Sequence, residues 1–177
     1  MKKVKNCWIV LLAMMAIVGG MFAGCQSKAD CEPFTVSAID KFGATEKEGY
    51  VPFYIHRGVD ALAVNSEEHE NEYAFATYTF SKKSGEYEIK ITTVLEDDGE
   101  STYKLFINDK QVAQMQNEKS DVNYVERVYS FGKLKLKQGD VIGIAFNNVS
   151  NGKIPENDSF AFARGRWKNL IFEKVCK

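Results

Sequence analysis

What the chain lacks narrows the chemistry it can perform. It has two histidines, His56 and His69, and no Cys-x-x-Cys, HExxH, GxSxG or phosphate-loop pattern. Zinc sites, serine nucleophiles with a histidine base and nucleotide-phosphate cradles are therefore poorly supported. It also lacks an excess of positive charge, with 23 Lys and Arg against 24 Asp and Glu, and nucleic-acid binding calls for a basic face. Beyond the N-terminal run, no segment carries a long apolar stripe at the helical period; only Asp60 to Glu70 is ambiguous, with room for a helical turn.

What is present begins with an export signal. Lys2, Lys3 and Lys5 precede an uncharged run from Cys7 to Gly24 that ends in Phe22-Ala23-Gly24-Cys25, small residues just before a cysteine. That tetrapeptide resembles a bacterial lipobox, with Phe22 where Leu is usual, and the resemblance implies lipidation at Cys25. A run of this length could also just span a bilayer. The Gly19-Gly20 break and the Ala-Gly-Cys ending suit cleavage better. The expected organisation is a lipoprotein signal peptide over residues 1–24, a lipidated cysteine and short tether over 25–32, and one domain over 33–177. Lipidation would fix the protein to a membrane outside the cytoplasm. Gln26, where some bacteria place an aspartate for inner-membrane retention, favours an outer-membrane or cell-surface position. Loss of residues 1–24 leaves 20 basic against 24 acidic groups, a net charge of -4.

The body of the chain reads as strands. Tyr73 to Phe80, Tyr87 to Leu95, Tyr103 to Ile107 and Val141 to Phe146 are rich in β-branched and aromatic residues. In the second run Tyr87, Ile89, Ile91, Thr93 and Leu95 share one face, with Glu88, Lys90 and Thr92 on the other, which predicts one buried and one wet face. Polar turns punctuate the runs at Ser84-Gly85, Asp97-Asp98-Gly99, Asn108-Asp109 and Gln138-Gly139-Asp140. This spacing predicts an all-β chain, an antiparallel β-sandwich of jelly-roll type. If Phe34 to Ala38 and Trp167 to Val175 are its adjacent first and last strands, Cys31 and Cys176 come together as a disulfide; otherwise they stay as two separate thiols near the ends.

Carboxylates are plentiful, with Glu96, Asp97, Asp98 and Glu100 in one turn and Glu156 and Asp158 in another. Glycoside hydrolysis by such a pair needs one acid kept protonated in an apolar setting, and a solvated turn offers none. The turn reads as a charged hairpin tip, with calcium binding the next alternative because hard cations take oxygen ligands. His56 follows an apolar PFYI run; it is expected at a strand end, where its imidazole could donate to a hydroxyl beside a groove.

Three stretches carry a wider resemblance: YVPFYIHRGVDALAVN (Tyr50 to Asn65), DGESTYKLFINDKQVA (Asp98 to Ala113) and NGKIPENDSFAFARGRWKNLIF (Asn151 to Phe172). They resemble the galactose-binding-like β-sandwich modules of bacterial secreted and surface proteins, similar in layout to carbohydrate-binding modules. The resemblance implies a jelly roll whose loops or concave face hold sugars, often with a structural calcium. Many such modules open on a Glu-x-Glu pattern that helps to hold that ion. Here the first strand reads FTVSAID, leaving Asp40 as the nearby acid beside weak candidates Asp97 and Asp98.

The segment NGKIPENDSFAFARGRW then gains a candidate role. A sugar site wants planar donors, carboxylate or amide acceptors and an aromatic plate. Arg164, Arg166, Trp167, Asn148 and Asn151 supply all but the carboxylate, which Glu156 or Glu100 could complete. The arginine forks would also suit a uronate or sulfate. Phe160, Phe162 and Trp167 read equally as core residues entering the last strand, with an arginine paired to the DDGE turn to lock two loops together. The leading function is non-catalytic glycan binding by a membrane-anchored lipoprotein, ahead of a structural or adhesive protein with a protein partner and, last, a small glycan-active hydrolase or lyase.

Overall fold

The structure, a computed structural model, describes residues 31–176. The expected signal peptide, the lipidation site Cys25 and most of the tether lie outside the described residues. Among those described there are thirteen strands and one short helix. They are β1 (Phe34–Ser37), α1 (Ala38–Lys41), β2 (Gly43–Ala44), β3 (Phe53–His56), β4 (Ala61–Val64), β5 (Tyr73–Thr79) and β6 (Gly85–Leu95). After them come β7 (Thr102–Ile107), β8 (Lys110–Gln116), β9 (Val125–Leu136), β10 (Val141–Asn147), β11 (Pro155–Glu156), β12 (Ser159–Phe160) and β13 (Trp167–Lys174).

Two antiparallel sheets face one another, ordered β3-β4-β13-β6-β9 and β2-β5-β10-β7-β8, which is the expected sandwich. β13 is the axis of the first. One of its edges pairs with β6 along most of its length, while the other is shared by β4 at Trp167 and by β1 from Asn169 to Phe172. β1 stops at Ser37, where the chain coils into α1, and Ala61–Val64 is a wholly buried strand where a helical turn was open.

Alternation works as expected over the first half of β6: Tyr87, Ile89 and Ile91 are buried, while Glu88 and Lys90 face outward. It fails from Thr92 to Leu95, where both faces are buried, because the chain before β13 lies against this end. Val94 N–H donates to the Arg166 carbonyl (2.9 Å), and the Thr92 hydroxyl donates to Asn169 Oδ1 (2.8 Å).

Aromatic side chains fill the space between the sheets. Phe34 stacks on Phe172 at 5.0 Å, with Phe80 and Tyr87 around them, and Trp167 packs edge-on against Phe42 at 4.9 Å. Among the described residues the buried core runs from Val36 to Phe172.

Cys31 and Cys176 are bonded, with Cα atoms 6.0 Å apart and a separation of 145 residues. Closing a loop this long removes about 5 kcal/mol of denatured-state entropy. The Cys31→Ser/Cys176→Ser double variant should lose stability of about that size in denaturant titration; an unchanged midpoint would show that the bond does not constrain the unfolded chain.

Candidate functional site

The segment from Asn151 to Trp167 closes one end of the sandwich, and its course is fixed by close backbone approach. Val149 bridges Ala163, and Asn151 N–H donates to the Asp98 carbonyl (2.8 Å). A Cβ on Gly99 would lie 2.1 Å from the Val149 carbonyl oxygen, and one on Gly165 would lie 2.4 Å from that of Asn147. Gly165 also sits at φ +60, a left-handed conformation that glycine adopts without strain. On either side of it, the Arg164 carbonyl accepts from Val64 N–H and the Arg166 carbonyl from Val94 N–H, both at 2.9 Å. The two arginines are thus held between β4 and β6 before β13 begins.

Arg166 is 4% exposed and forms an ion pair with Glu96, also 4% exposed. The second carboxylate oxygen of Glu96 accepts from the Arg164 backbone N–H (3.0 Å), and Arg166 Nε donates to His56 Nδ1 (2.8 Å). That last bond makes Nδ1 an acceptor, so the proton of neutral His56 resides on Nε2. Burial holds the imidazole below its ordinary pKa of 6.5, reinforced by the charges of Arg166 and Arg164. Tyr124 covers the outer face of the guanidinium, with its ring centroid 5.3 Å from the central carbon. It is 53% exposed and held at φ 63, a left-handed conformation that costs a bulky residue on the order of 1–3 kcal/mol.

Above this floor opens a polar cleft of about 310 Å³ lined by His56, Asp98, Asn123, Tyr124, Glu156 and Arg164, among others. Asp98 is half-buried, and burial first, then the neighbouring Asp97 charge, raises its carboxyl pKa. Its Oδ1 is buried with no hydrogen-bond partner among the described residues, an acceptor that a ligand O–H would satisfy. Arg164 donates to the Tyr54 hydroxyl at 3.2 Å. It also borders a second concavity of about 350 Å³ against Phe53, Tyr54, Asn65 and His69.

The sequence-nominated residues divide. Arg164 and Glu156 line the cleft, whereas Trp167 has no exposed surface and serves as core, so it presents no face to a ligand. Arg166 is likewise committed, to Glu96 and His56. Asn148 is fully buried: its Oδ1 accepts from Glu72 N–H (3.0 Å) and its Nδ2 donates to the His69 carbonyl, fastening the 65–72 loop. Asn151 Nδ2 donates to the Asp97 carbonyl at 2.8 Å. Glu100 lies off the cleft lining, and its carbonyl accepts from Gln116 Nε2. The acidic turn is not the solvated tip expected, because Glu96 is buried and Asp98 half-buried. Phe160, for which a core position was one of two readings, is 46% exposed. Tyr124, Tyr54 and Asn123 were missed; the signal for Tyr124 was a single aromatic following the polar run Glu118 to Asp121 and Val122-Asn123.

The acids nominated for calcium do not gather as a cluster. Among the described residues no three His, Cys, Asp or Glu side chains gather to hold an ion. Asp97 Oδ1 accepts from Asn123 Nδ2 at 2.6 Å, and Asp40 stands exposed on α1.

No family model matches the chain. Among curated proteins, "Uncharacterized protein P23" of Formosa agariphila is 28% identical over 125 residues, an alignment that covers 69% of this chain and 28% of that protein. The chain therefore spans well under half of that relative's length. Among solved structures, the insecticidal crystal protein CRY2AA overlays with a TM-score of 0.53 at 17% identity, covering 80% of this chain and 21% of that one. A family 35 carbohydrate-binding module from Clostridium thermocellum gives 0.48 at 13% identity, covering 81% and 99%. The carbohydrate-binding module CBM36 in complex with calcium and xylotriose gives 0.45 at 16%, covering 79% and 99%. At such identities a likeness concerns fold alone.

Removing one partner of the Glu96–Arg166 pair leaves a buried charge uncompensated. Glu96→Ala should cost about 3–5 kcal/mol in equilibrium unfolding. The Glu96→Ala/Arg166→Met double variant should cost less than the two single changes added together; strict additivity would show that the pair is not coupled.

His56 gives a pH dependence of definite sign. Its folded pKa lies below the unfolded value near 6.5, so the unfolded chain binds more protons in the window just below that value. Stability should fall as pH drops below about 6.5 and level off above it. His56→Gln should flatten that slope when unfolding is followed from pH 7.5 to 5; an unaltered slope would place its origin elsewhere.

Proposed function

We propose that the domain is a non-catalytic glycan-binding module whose site is the cleft between Tyr124, Asp98, His56 and Arg164, held at the bacterial surface by lipidation at Cys25. The observation that carries the reading is the pairing of an exposed aromatic ring in a strained backbone with a buried, unsatisfied carboxylate oxygen in one cleft. A pyranose presents an apolar C–H face and a fringe of hydroxyls, so it can stack on Tyr124 while donating to Asp98 Oδ1 and accepting from His56 Nε2–H and Arg164. The buried Glu96–Arg166 pair fixes these groups before the ligand arrives, which reduces the ordering cost of binding.

The charge of the cleft favours neutral sugars over the uronates or sulfates that two arginines alone would suggest. Arg166 is neutralised by Glu96, and Arg164 lies in the field of Glu67 and Glu156. A protein-binding reading draws on the exposed Val122, Tyr124 and Val128, which lie in the stretch leading into β9 and in β9 itself.

The test is a glycan array of neutral and acidic oligosaccharides with the chain from Gln26 to Lys177, followed by calorimetric titration and product analysis of any hit. Binding should be to neutral glycans and should weaken at least tenfold in Tyr124→Ala and Asp98→Ala. Tyr124→Gly should keep or raise stability, since glycine relieves the left-handed strain, while losing binding to the same extent. Silence from the folded domain, or cleavage of a bound glycan, would sink the reading.

A further inference from the structure

The two ends of the sandwich carry opposite charge. The loop end, where β6 and β10 finish and β13 begins, holds Glu67, Glu68, Glu70, Asp98, Glu156 and Asp158 around its concavities, with Arg164 and Lys153 among the opposing charges once Arg166 and Glu96 cancel. The far end, where β1 begins and β13 finishes, has Lys41, Lys82, Lys83, Lys174 and Glu32 lining its concavities, and the adjoining ends of β6, β9 and β13 add Lys133 and Lys135 against Glu86 and Glu173. Lys41 and Lys82 are exposed. Cys31, bonded to Cys176, places the N-terminal approach of the chain at this same basic end.

We infer that the Lys41–Lys82–Lys174 face docks on an anionic phospholipid surface and so orients the domain with its cleft pointing away from the membrane. The inference rests on Cys25 being the point of attachment. Six residue steps separate Cys25 from Cys31, a reach of at most about 20 Å, so the basic end stays near the headgroups. Their field decays over about 8 Å at physiological salt. β6 alone has 11 residues and spans about 35 Å, which carries the acidic end out of that field. A tilt that lowers the loop end brings six carboxylates toward anionic lipid and is opposed, while upright docking is favoured by each lysine. A random distribution of the same charges would allow the cleft to face the bilayer.

The chain from Cys25 to Lys177, its other two cysteines bonded to one another, can be coupled through Cys25 to a maleimide lipid in vesicles of phosphatidylcholine with or without phosphatidylglycerol. Lysine reactivity toward an acylating reagent is then read by mass spectrometry. On anionic vesicles Lys41, Lys82 and Lys174 should be protected severalfold relative to Lys153 at the loop end, with the protection lost in high salt and on neutral vesicles. In Lys41→Glu/Lys82→Glu the protection of Lys174 should disappear while glycan binding is unchanged. Equal reactivity at both ends, or protection independent of lipid charge, would overturn the orientation. An unmodified Cys25 in protein extracted from cell membranes would overturn the attachment on which it rests. Neither result bears on whether the cleft binds a glycan.

Discussion

The buried Glu96–Arg166 ion pair is the contact on which the loop end of the molecule depends. Two charges with almost no solvent exposure are tolerable only when further hydrogen bonds support the pair, and here each partner makes one. Glu96 receives the Arg164 backbone N–H, and Arg166 reaches His56. These contacts draw the end of β6, the end of β3 and the entry to β13 into one unit. Gly99 and Gly165 permit this because the backbones approach too closely for any Cβ. The pair therefore does two things at once: it pins a long irregular segment across the sandwich, and it forms a rigid floor whose polar rim faces solvent.

The strand framework was legible in the sequence because one-sided burial writes a period of two into the first half of β6 and most of β7, while β5 and β10 stand out as runs of aromatic, β-branched and small apolar residues. Alternation stopped being informative where a second layer covered the wet face, as at Thr92 and Val94. The four buried residues of β4, Ala61 to Val64, show no alternation at all, so a turn of helix could not be told from a strand. The disulfide followed from the first and last strands being neighbours, a topological argument that needed no side-chain geometry.

The site was legible only in outline. Arginine, aromatic and amide residues in one loop pointed to the end of the sandwich where the polar cleft opens, but not to which of them turn outward. Trp167 and Arg166 share the chemistry of a sugar site and are spent on the core and the ion pair. Arg164 and Glu156, in the same segment, face the cleft. Tyr124 comes from a different hairpin some forty residues earlier in the chain, and its adjacency to Arg166 arises only when β9 pairs with β6. Asp98 was nominated for a cation; among the described residues no three His, Cys, Asp or Glu side chains gather around one, and its buried Oδ1 is left without a hydrogen-bond partner.

The most direct measurement of the central claim is a heteronuclear NMR titration of the isotopically labelled domain with neutral gluco-, manno- and galacto-oligosaccharides, following backbone amide shifts. The account predicts that saturable shifts converge on Asp98, Asn123, Tyr124, Ala161 and Arg164, with Lys82 and Lys174 at the opposite end unmoved. Saturable shifts centred on the outer face of either sheet or on the basic end, with the cleft amides silent, would contradict it.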